Sequence, residues 1–149
     1  MKKSRRLRPV AKFAHQRERD AARTLGANLR QLEQQQKQLD DLIEYRDQYV
    51  AGFQAAGKDG LTAVQLRDYQ VFLSRLDSAI VQQQQKLAAS QLDCELSQAA
   101  WQDKHGHSKM IDKVIERREV DENRKLEQQE QREQDDRPKA SSDSADGDS

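Results

Sequence analysis

The stretch LRDYQVFLSRLDSAIVQQQQKLAASQLDCELSQAAW, residues 66–101, decides the fold of this 149-residue chain. Its apolar and small residues recur at alternating spacings of three and four positions, which is the heptad repeat of an α-helix that packs along another helix. We call the row of residues that faces the partner helix the seam. The predicted seam of this helix consists of Leu66, Tyr69, Leu73, Leu76, Ile80, Gln83, Leu87, Ser90, Cys94, Ser97 and Trp101.

A second heptad series lies earlier in the chain, and glycines at positions 52, 57 and 60 separate the two series. Two heptad helices joined by a glycine-rich turn are typical of an antiparallel hairpin. The earlier series comprises Ala22, Leu25, Leu29, Leu32, Gln36, Leu39, Ile43, Arg46, Val50 and Phe53. We therefore predict an all-α fold, a two-helix antiparallel coiled-coil hairpin with unequal arms.

The register of this hairpin follows if Phe53 lies opposite Leu66. In that register Gln36 lies opposite Gln83, and we expect the two amides to hydrogen-bond across the seam and fix the register. The same register pairs Val50 with Tyr69, Ile43 with Leu76, Leu39 with Ile80, Leu32 with Leu87 and Leu25 with Cys94. The apolar residues nearer the start of the chain are out of phase, which predicts a one-residue stutter between Ala21 and Leu25.

We expect one coiled-coil domain over residues 1–137, with helices over about 9–51 and 63–135 and a turn over about 52–62. Thr62 and Gln65 have the spacing of a capping box at the start of the second helix. Because the second helix is the longer one, we expect it to lack a partner helix from about residue 110. Residues 138–149 are rich in Ser and Asp, which predicts a disordered acidic tail.

Composition limits the function of the chain. Only 34% of the residues are hydrophobic and 35% are charged, which favours long solvated helices over an ordinary globular core. Lys plus Arg and Asp plus Glu both number 26, so no net charge attracts the chain to nucleic acid. No apolar run approaches the roughly 20 residues of a membrane span, and we expect a cytoplasmic protein that reaches a membrane only through partners.

The chain has few residues that could carry chemistry. It lacks a phosphate-binding glycine loop and a nucleophile elbow, and its acidic residues lie on helix faces beside basic ones. His105 and His107 point away from each other on a helix, so they do not form a metal site with His15. The lone Cys94 is expected to be a small packing residue. We predict no catalytic residue, no cofactor and no metal, and therefore no enzyme.

Aromatic residues beside the seam are the strongest sign of partner binding, because a two-helix coil cannot cover them. They belong to two sets with the spacing i, i+4, i+7, i+11, namely Gln38, Leu42, Tyr45 and Tyr49 on the first helix and Phe72, Leu76, Ala79 and Gln83 on the second. Leu76 and Gln83 also belong to the seam. The alternative is that these residues only widen the apolar face of the hairpin near its turn.

The features that resemble a known family are the run from Leu66 to Ile80, the basic start, the glycine turn, Trp101 and the Glu-, Arg- and Gln-rich end. In these features the chain resembles the FliJ family, whose members are small coiled-coil proteins of the bacterial flagellar type III export apparatus. The resemblance covers residues 1–137. It implies a hairpin like the rotor stalk of rotary ATPases. It also implies a non-enzymatic stalk and general chaperone that couples the hexameric export ATPase FliI to the cytoplasmic part of the export gate FlhA, at the inner membrane. Export cargo chaperones are further partners that the resemblance suggests.

The resemblance also assigns residues to partners. The export gate would contact Phe72, Leu76, Ala79, Gln83, Gln38, Leu42, Tyr45 and Tyr49, although Gln83 stands where the family has a histidine. The ATPase ring would receive the open end of the hairpin, with Arg5, Arg6, Arg8, Ile111 and Ile115. Three alternatives stay open from the residues alone: the equivalent stalk of a virulence type III secretion system, a nucleic-acid-associated rod, and a purely structural coiled coil.

Overall fold

The computed structural model describes residues 2–137, and these form two α-helices. Helix α1 spans Lys2–Gly57 and helix α2 spans Ala63–Asp136, with 56 and 74 residues. Contacts join the early part of α1 to the late part of α2, so the helices are antiparallel. The predicted all-α hairpin with unequal arms is confirmed. The predicted acidic tail, residues 138–149, lies outside the described residues.

Helix α1 is longer at both ends than the sequence predicted. It begins at Lys2 rather than near residue 9 and ends at Gly57 rather than near residue 51. The backbone N–H and the hydroxyl of Ser4 donate to the carboxylate of Glu122 on α2, at 3.2 and 2.8 Å. The guanidinium of Arg8 lies 3.5 Å from the carboxylate of Glu119. These cross-helix contacts extend the helix beyond Pro9, which lies inside it.

The turn between the helices contains the predicted capping box. The backbone N–H of Thr62 donates to the Gln65 side-chain oxygen at 3.0 Å, and the N–H of Gln65 donates to the Thr62 hydroxyl oxygen at 3.1 Å. Each side chain therefore satisfies a backbone donor that the first turn of α2 leaves free. Gly60 has a φ angle of 87°, a conformation that side chains disfavour.

The seam of α2 agrees with the prediction. Every predicted seam residue from Tyr69 to Trp101 is buried or half-buried, and only Leu66 is exposed. The same heptad continues through Lys104, Ser108, Ile111 and Ile115. The prediction that α2 lacks a partner from about residue 110 is therefore wrong. Because α1 begins at Lys2, contacts between the helices reach Glu122, and the exposed part of α2 starts at Asn123.

The seam of α1 differs from the predicted one at every second position. Leu25, Leu32, Leu39, Arg46 and Phe53 were predicted correctly, since all are buried or half-buried. The residues between them in the seam are Ala21, Asn28, Gln35, Leu42 and Tyr49, each one position before the residue that the sequence suggested. Of the five suggested residues, only Val50 is half-buried, and the other four are exposed. This phase continues without a stutter back through Ala14 and Ala11 to Ser4. One uninterrupted heptad therefore accounts for the whole of α1, and the predicted stutter is absent.

The predicted register also needs correction. Gln83 donates to the backbone oxygen of Gln35 at 2.9 Å and to its side-chain oxygen at 2.6 Å, whereas Gln36 donates to Asp40 on its own helix. Phe53 stacks on Tyr69, with ring centroids 3.5 Å apart, rather than lying opposite Leu66. Near the start of α1, His15 pairs with Asp112, although the predicted register places it opposite Lys104. The stacking of Phe53 on Tyr69 thus gives the two helices a different register from the one that follows from pairing Phe53 with Leu66.

Contacts within the hairpin cluster into two units, which we describe separately. Unit 1 contains residues up to His15 and from Gly106 onward, and its buried residues are the small side chains Ser4, Ala11, Ala14 and Ser108. Unit 2 contains Gln16–His105, and its buried residues are Leu39, Leu76, Gln83, Ser90, Cys94 and Ser97. In the seam of unit 2, Asn28 donates to the Ser97 hydroxyl.

Candidate partner-binding surface

Five aromatic rings from both helices meet near the turn. Tyr49 lies between Tyr69 and Phe72, with ring centroids 5.4 and 4.5 Å away, and Phe53 stacks on the other side of Tyr69. Tyr45 makes an edge contact with Phe72 at 6.2 Å. Offset and edge contacts of this kind stabilise a cluster beyond the area that it buries. The cluster fixes the positions of Tyr45 and Phe72 on the outside of the hairpin.

The structure separates the predicted gate-binding residues into two groups. Leu76 and Gln83 are buried in the seam, with 7% and 6% of their surface exposed, so a partner cannot reach them in the folded hairpin. We call the other six the aromatic surface. Leu42 and Tyr49 belong to the α1 seam, and Gln38, Tyr45, Phe72 and Ala79 lie along one side of it. Gln38 and Tyr45 are exposed, and Leu42, Tyr49, Phe72 and Ala79 are half-buried. Tyr45 is the most accessible ring, with 50% exposure.

An open groove next to Phe72 adds residues that the sequence reasoning missed. Its walls include Arg67, Val71 and Arg75 of α2 together with Tyr49. Val71 is 46% exposed, so the apolar part of this surface extends beyond the rings. Val71 was missed from the sequence because this residue belongs to neither of the two predicted sets. Its position directly before Phe72 was the one feature that could have pointed to it. Two guanidinium groups beside exposed apolar side chains suit a protein partner, because Arg and aromatic residues are enriched where interfaces are strongest.

A cross-helix ion pair lies on the other side of the seam. Nε of Arg46 donates to a carboxylate oxygen of Asp77 at 2.6 Å. The hydrogen bond and the charge of Asp77 raise the pKa of Arg46 above its ordinary value, so the guanidinium stays charged. Arg46 was predicted as a seam residue, and its charge is accommodated because the guanidinium reaches this partner at the edge of the seam.

The residues predicted for the ATPase ring all lie in unit 1. Arg5, Arg6 and Arg8 are exposed on α1, and Arg8 forms the ion pair with Glu119. Ile111 and Ile115 are half-buried on α2 rather than lying on an unpaired overhang. The accessible part of this set is therefore basic, and the two isoleucines contribute to the packing of unit 1.

The three histidines do not converge. His15 pairs with Asp112 at 2.9 Å in unit 1, and His105 pairs with Glu18 at 2.5 Å in unit 2, where it also stacks on Trp101. Among residues 2–137, no group of three or more His, Cys, Asp or Glu side chains is arranged to hold a metal ion. Over the same residues, neither helix has an apolar stretch long enough to cross a bilayer.

Comparisons with known proteins point to one family. The family model described as "Flagellar FliJ protein" matches residues 2–139. The flagellar FliJ protein of Escherichia coli (strain K12) is 30% identical over 98 residues, which cover 66% of this chain and 67% of that protein. The FliJ protein of Salmonella typhi is 31% identical over 85 residues, covering 57% of this chain and 58% of that protein. No solved structure matches the chain significantly.

Proposed function

Since the chain belongs to the FliJ family of flagellar proteins, we propose that it is a non-enzymatic stalk and general chaperone of flagellar type III protein export. In this proposal it couples the hexameric export ATPase FliI to the cytoplasmic part of the export gate FlhA. It contacts the inner membrane only through these partners, and export cargo chaperones are further candidates. The proposal includes no nucleic-acid partner, because the chain carries 26 basic and 26 acidic residues.

The observation that carries the proposal is the aromatic surface. A two-helix coil has no third layer that could cover Tyr45, and this ring makes an edge contact with Phe72 at 6.2 Å while half of its own surface is exposed. Exposed, immobilised aromatic side chains lose little conformational entropy on binding, which is why they act as anchors in protein interfaces. We assign the gate contact to this surface.

The burial of Leu76 and Gln83 changes the role that we propose for them. Both support the surface from the seam below it and do not touch the partner. Replacing Leu76 by alanine should therefore act through stability, with a loss of about 2–4 kcal/mol that is typical of a buried leucine. A binding defect in that variant would not identify the interface.

The second contact that we propose lies in unit 1. Arg5 and Arg6 are exposed on the first turns of α1, where they could meet acidic groups of the ATPase ring. In this proposal, an aromatic region in unit 2 and a basic region in unit 1 give the stalk one contact for each partner. Ile111 and Ile115 are half-buried on α2 and contribute to the packing of unit 1.

The test is a double substitution, Tyr45→Ala with Phe72→Ala, measured against the purified cytoplasmic part of FlhA. We expect binding to weaken at least about tenfold, because anchor residues of this kind are each worth more than 1 kcal/mol. The matched control is Val81→Ala with Leu92→Ala, two exposed apolar residues of α2 outside the aromatic surface. Circular dichroism should show unchanged helix content in both. Unchanged FlhA binding by the first pair would refute the gate assignment.

A further inference from the structure

Helix α1 carries a second, mostly apolar row beside the seam, and four of its five members are exposed while Val50 is half-buried. It consists of Ala22, Leu29, Gln36, Ile43 and Val50, and we call it the outer row. Leu29 is 50% exposed and Ile43 is 39% exposed. The corresponding seam positions include the polar residues Asn28 and Gln35. The outer row is thus more apolar than the alternate seam positions beside it, although it lies outside.

The outer row has the geometry of a second seam. Its residues recur every seven positions, and each lies three or four positions from a correctly predicted seam residue, such as Leu25, Leu32 or Leu39. A helix with apolar rows on two adjacent faces is typical of a helix that packs against two neighbours. A groove lined by Leu29, Leu32, Gln36 and Gln91 already runs between α1 and α2 at this place.

Acidic residues accompany the outer row at constant spacing. Glu33, Asp40 and Asp47 each follow a member of the row, namely Leu29, Gln36 and Ile43, by four residues. All three are exposed. After the larger contribution of Asp77, the charge of Asp47 also helps to raise the pKa of Arg46. Asp40 accepts a hydrogen bond from Gln36 at 3.0 Å. Lys37 also lines the groove and is the one basic residue there.

We propose that the outer row and these three acids form a docking site for a basic amphipathic helix of another protein. Such a helix would place its apolar residues on Leu29 and Ile43 and its Lys or Arg side chains beside Glu33, Asp40 and Asp47. A second copy of this chain is a poorer occupant, because symmetric pairing through this face would bring the two acidic rows together.

This site is distinct from the aromatic surface. The outer row lies one residue after the seam positions, whereas Tyr45 and Gln38 lie one residue before them, which puts the two surfaces on opposite sides of the seam. The inference therefore holds whether or not FlhA binds the aromatic surface.

The experiment uses the full chain and two synthetic helical peptides of about three heptads each. Both carry leucine at the two apolar heptad positions, but one has Lys and Arg at the flanking positions and the other has Glu. We expect the basic peptide to bind at least about tenfold more tightly than the acidic one, with an affinity that falls as salt is raised. Isothermal titration at two salt concentrations measures both.

Three variants assign the binding to this face. Leu29→Gln with Ile43→Gln should weaken the basic peptide at least about tenfold. Glu33→Gln, Asp40→Asn and Asp47→Asn together should weaken it and flatten its salt dependence, and they keep the packing because all three residues are exposed. Tyr45→Ala, on the opposite side of the seam, should leave the affinity unchanged.

Several results would overturn the proposal. One is equal affinity for the basic and acidic peptides, and another is full binding by either group of outer-row variants. A third is a concentration-dependent dimer in analytical ultracentrifugation that Leu29→Gln with Ile43→Gln abolishes, because the occupant would then be a second copy. If the glutamine pair lowers the helix content, the triple charge variant decides the question by itself.

Discussion

Gln83 is a buried amide whose hydrogen bonds hold a specific partner on the other helix. It donates to both oxygens of Gln35 and has 6% of its surface exposed. Replacing it by alanine removes these bonds, and we expect the free energy of unfolding to fall by about 1–2 kcal/mol. Urea denaturation followed by circular dichroism measures the change.

Gln84→Ala provides the matched control for this prediction. Gln84 is the next residue along the helix, but it is exposed. Its replacement should change the free energy of unfolding by less than about 0.5 kcal/mol. Equal effects of the two substitutions would show that the Gln35 bonds contribute nothing.

Two glycines should respond to alanine in opposite directions. Gly60 has a φ angle of 87°, so Gly60→Ala should destabilise the hairpin by about 1 kcal/mol or more. Gly106 lies within α2, and a methyl group there would meet no atom within 4 Å. Gly106→Ala should stabilise the protein by up to about 1 kcal/mol, through helix propensity. Thermal melting measures whether each variant is more or less stable than the original protein. A change of stability in the same direction for both variants would contradict this prediction.

The predicted seam of α1 was wrong where a polar residue is half-buried and its apolar neighbour is exposed. Asn28 and Gln35 occupy the seam because each finds a hydrogen-bond partner on α2, while Leu29 and Ile43 stay outside. A rule that places the more apolar neighbour inside chooses Leu29 over Asn28, and it does not distinguish Gln35 from Gln36 or Leu42 from Ile43. Whether a buried amide finds a hydrogen-bond partner depends on the residues that the other helix places opposite it. The sequence of one helix alone does not contain that information.

The start of α2 depends on one capping motif. Thr62→Ala removes the hydroxyl that accepts from the N–H of Gln65, and we expect a loss of about 1 kcal/mol. Thr62→Ser should retain most of the stability, since serine offers the same oxygen. Urea denaturation distinguishes the two variants.

Thr24→Ala is the control for the cap. The hydroxyl of Thr24 donates to the backbone oxygen of Asp20 within α1, where threonine is a weaker helix former than alanine. We expect this substitution to be neutral or slightly stabilising. A loss at position 24 as large as that at position 62 would mean that the cap has no special role.

Element prediction succeeded for α2 and for the cap because both are local. Thr62 and Gln65 lie three residues apart, and the α2 seam follows one unbroken heptad that includes Leu73, Leu76 and Ile80. The limits of α1 were missed because its first turns are held by Glu119 and Glu122, more than 100 residues away in the sequence. Contacts at that separation cannot be read from the residues around Pro9.

For the candidate site, the sequence correctly placed Tyr45 and Phe72 beside the seam, but it also placed Tyr49 there, and Tyr49 is a seam residue. Tyr49 and Tyr45 looked equivalent, yet Tyr49 is half-buried between Tyr69 and Phe72 while Tyr45 is exposed. Their difference arises from the offset between the helices, which the stacking of Phe53 on Tyr69 sets. The offset is a property of both helices together.

The unequal arms of the whole hairpin lead to a prediction about its longer end. Every residue from Asn123 to Arg137 is exposed, and Glu122, just before them, is hydrogen-bonded to Ser4 of α1. A helix with no apolar face covered adds little to the free energy of folding. Ending the chain after Asn123 should lower the helical signal but change the free energy of unfolding by less than about 0.5 kcal/mol.

The opposite truncation serves as the comparison. Starting the chain at Pro9 removes the bonds of Ser4 to Glu122 and the ion pair of Arg8 with Glu119, and it uncovers the part of α2 that these residues touch. We expect this shorter deletion to lower the free energy of unfolding more than the truncation after Asn123 does. Urea denaturation of both truncated chains measures the difference. If the truncation after Asn123 proves the more destabilising one, the exposed end of α2 must have a partner within the protein. Its availability to other proteins would then be in question. If the expected result is obtained, the residues after Asn123 continue the helix that begins in the paired part of α2. They can then bind a partner without first separating from α1.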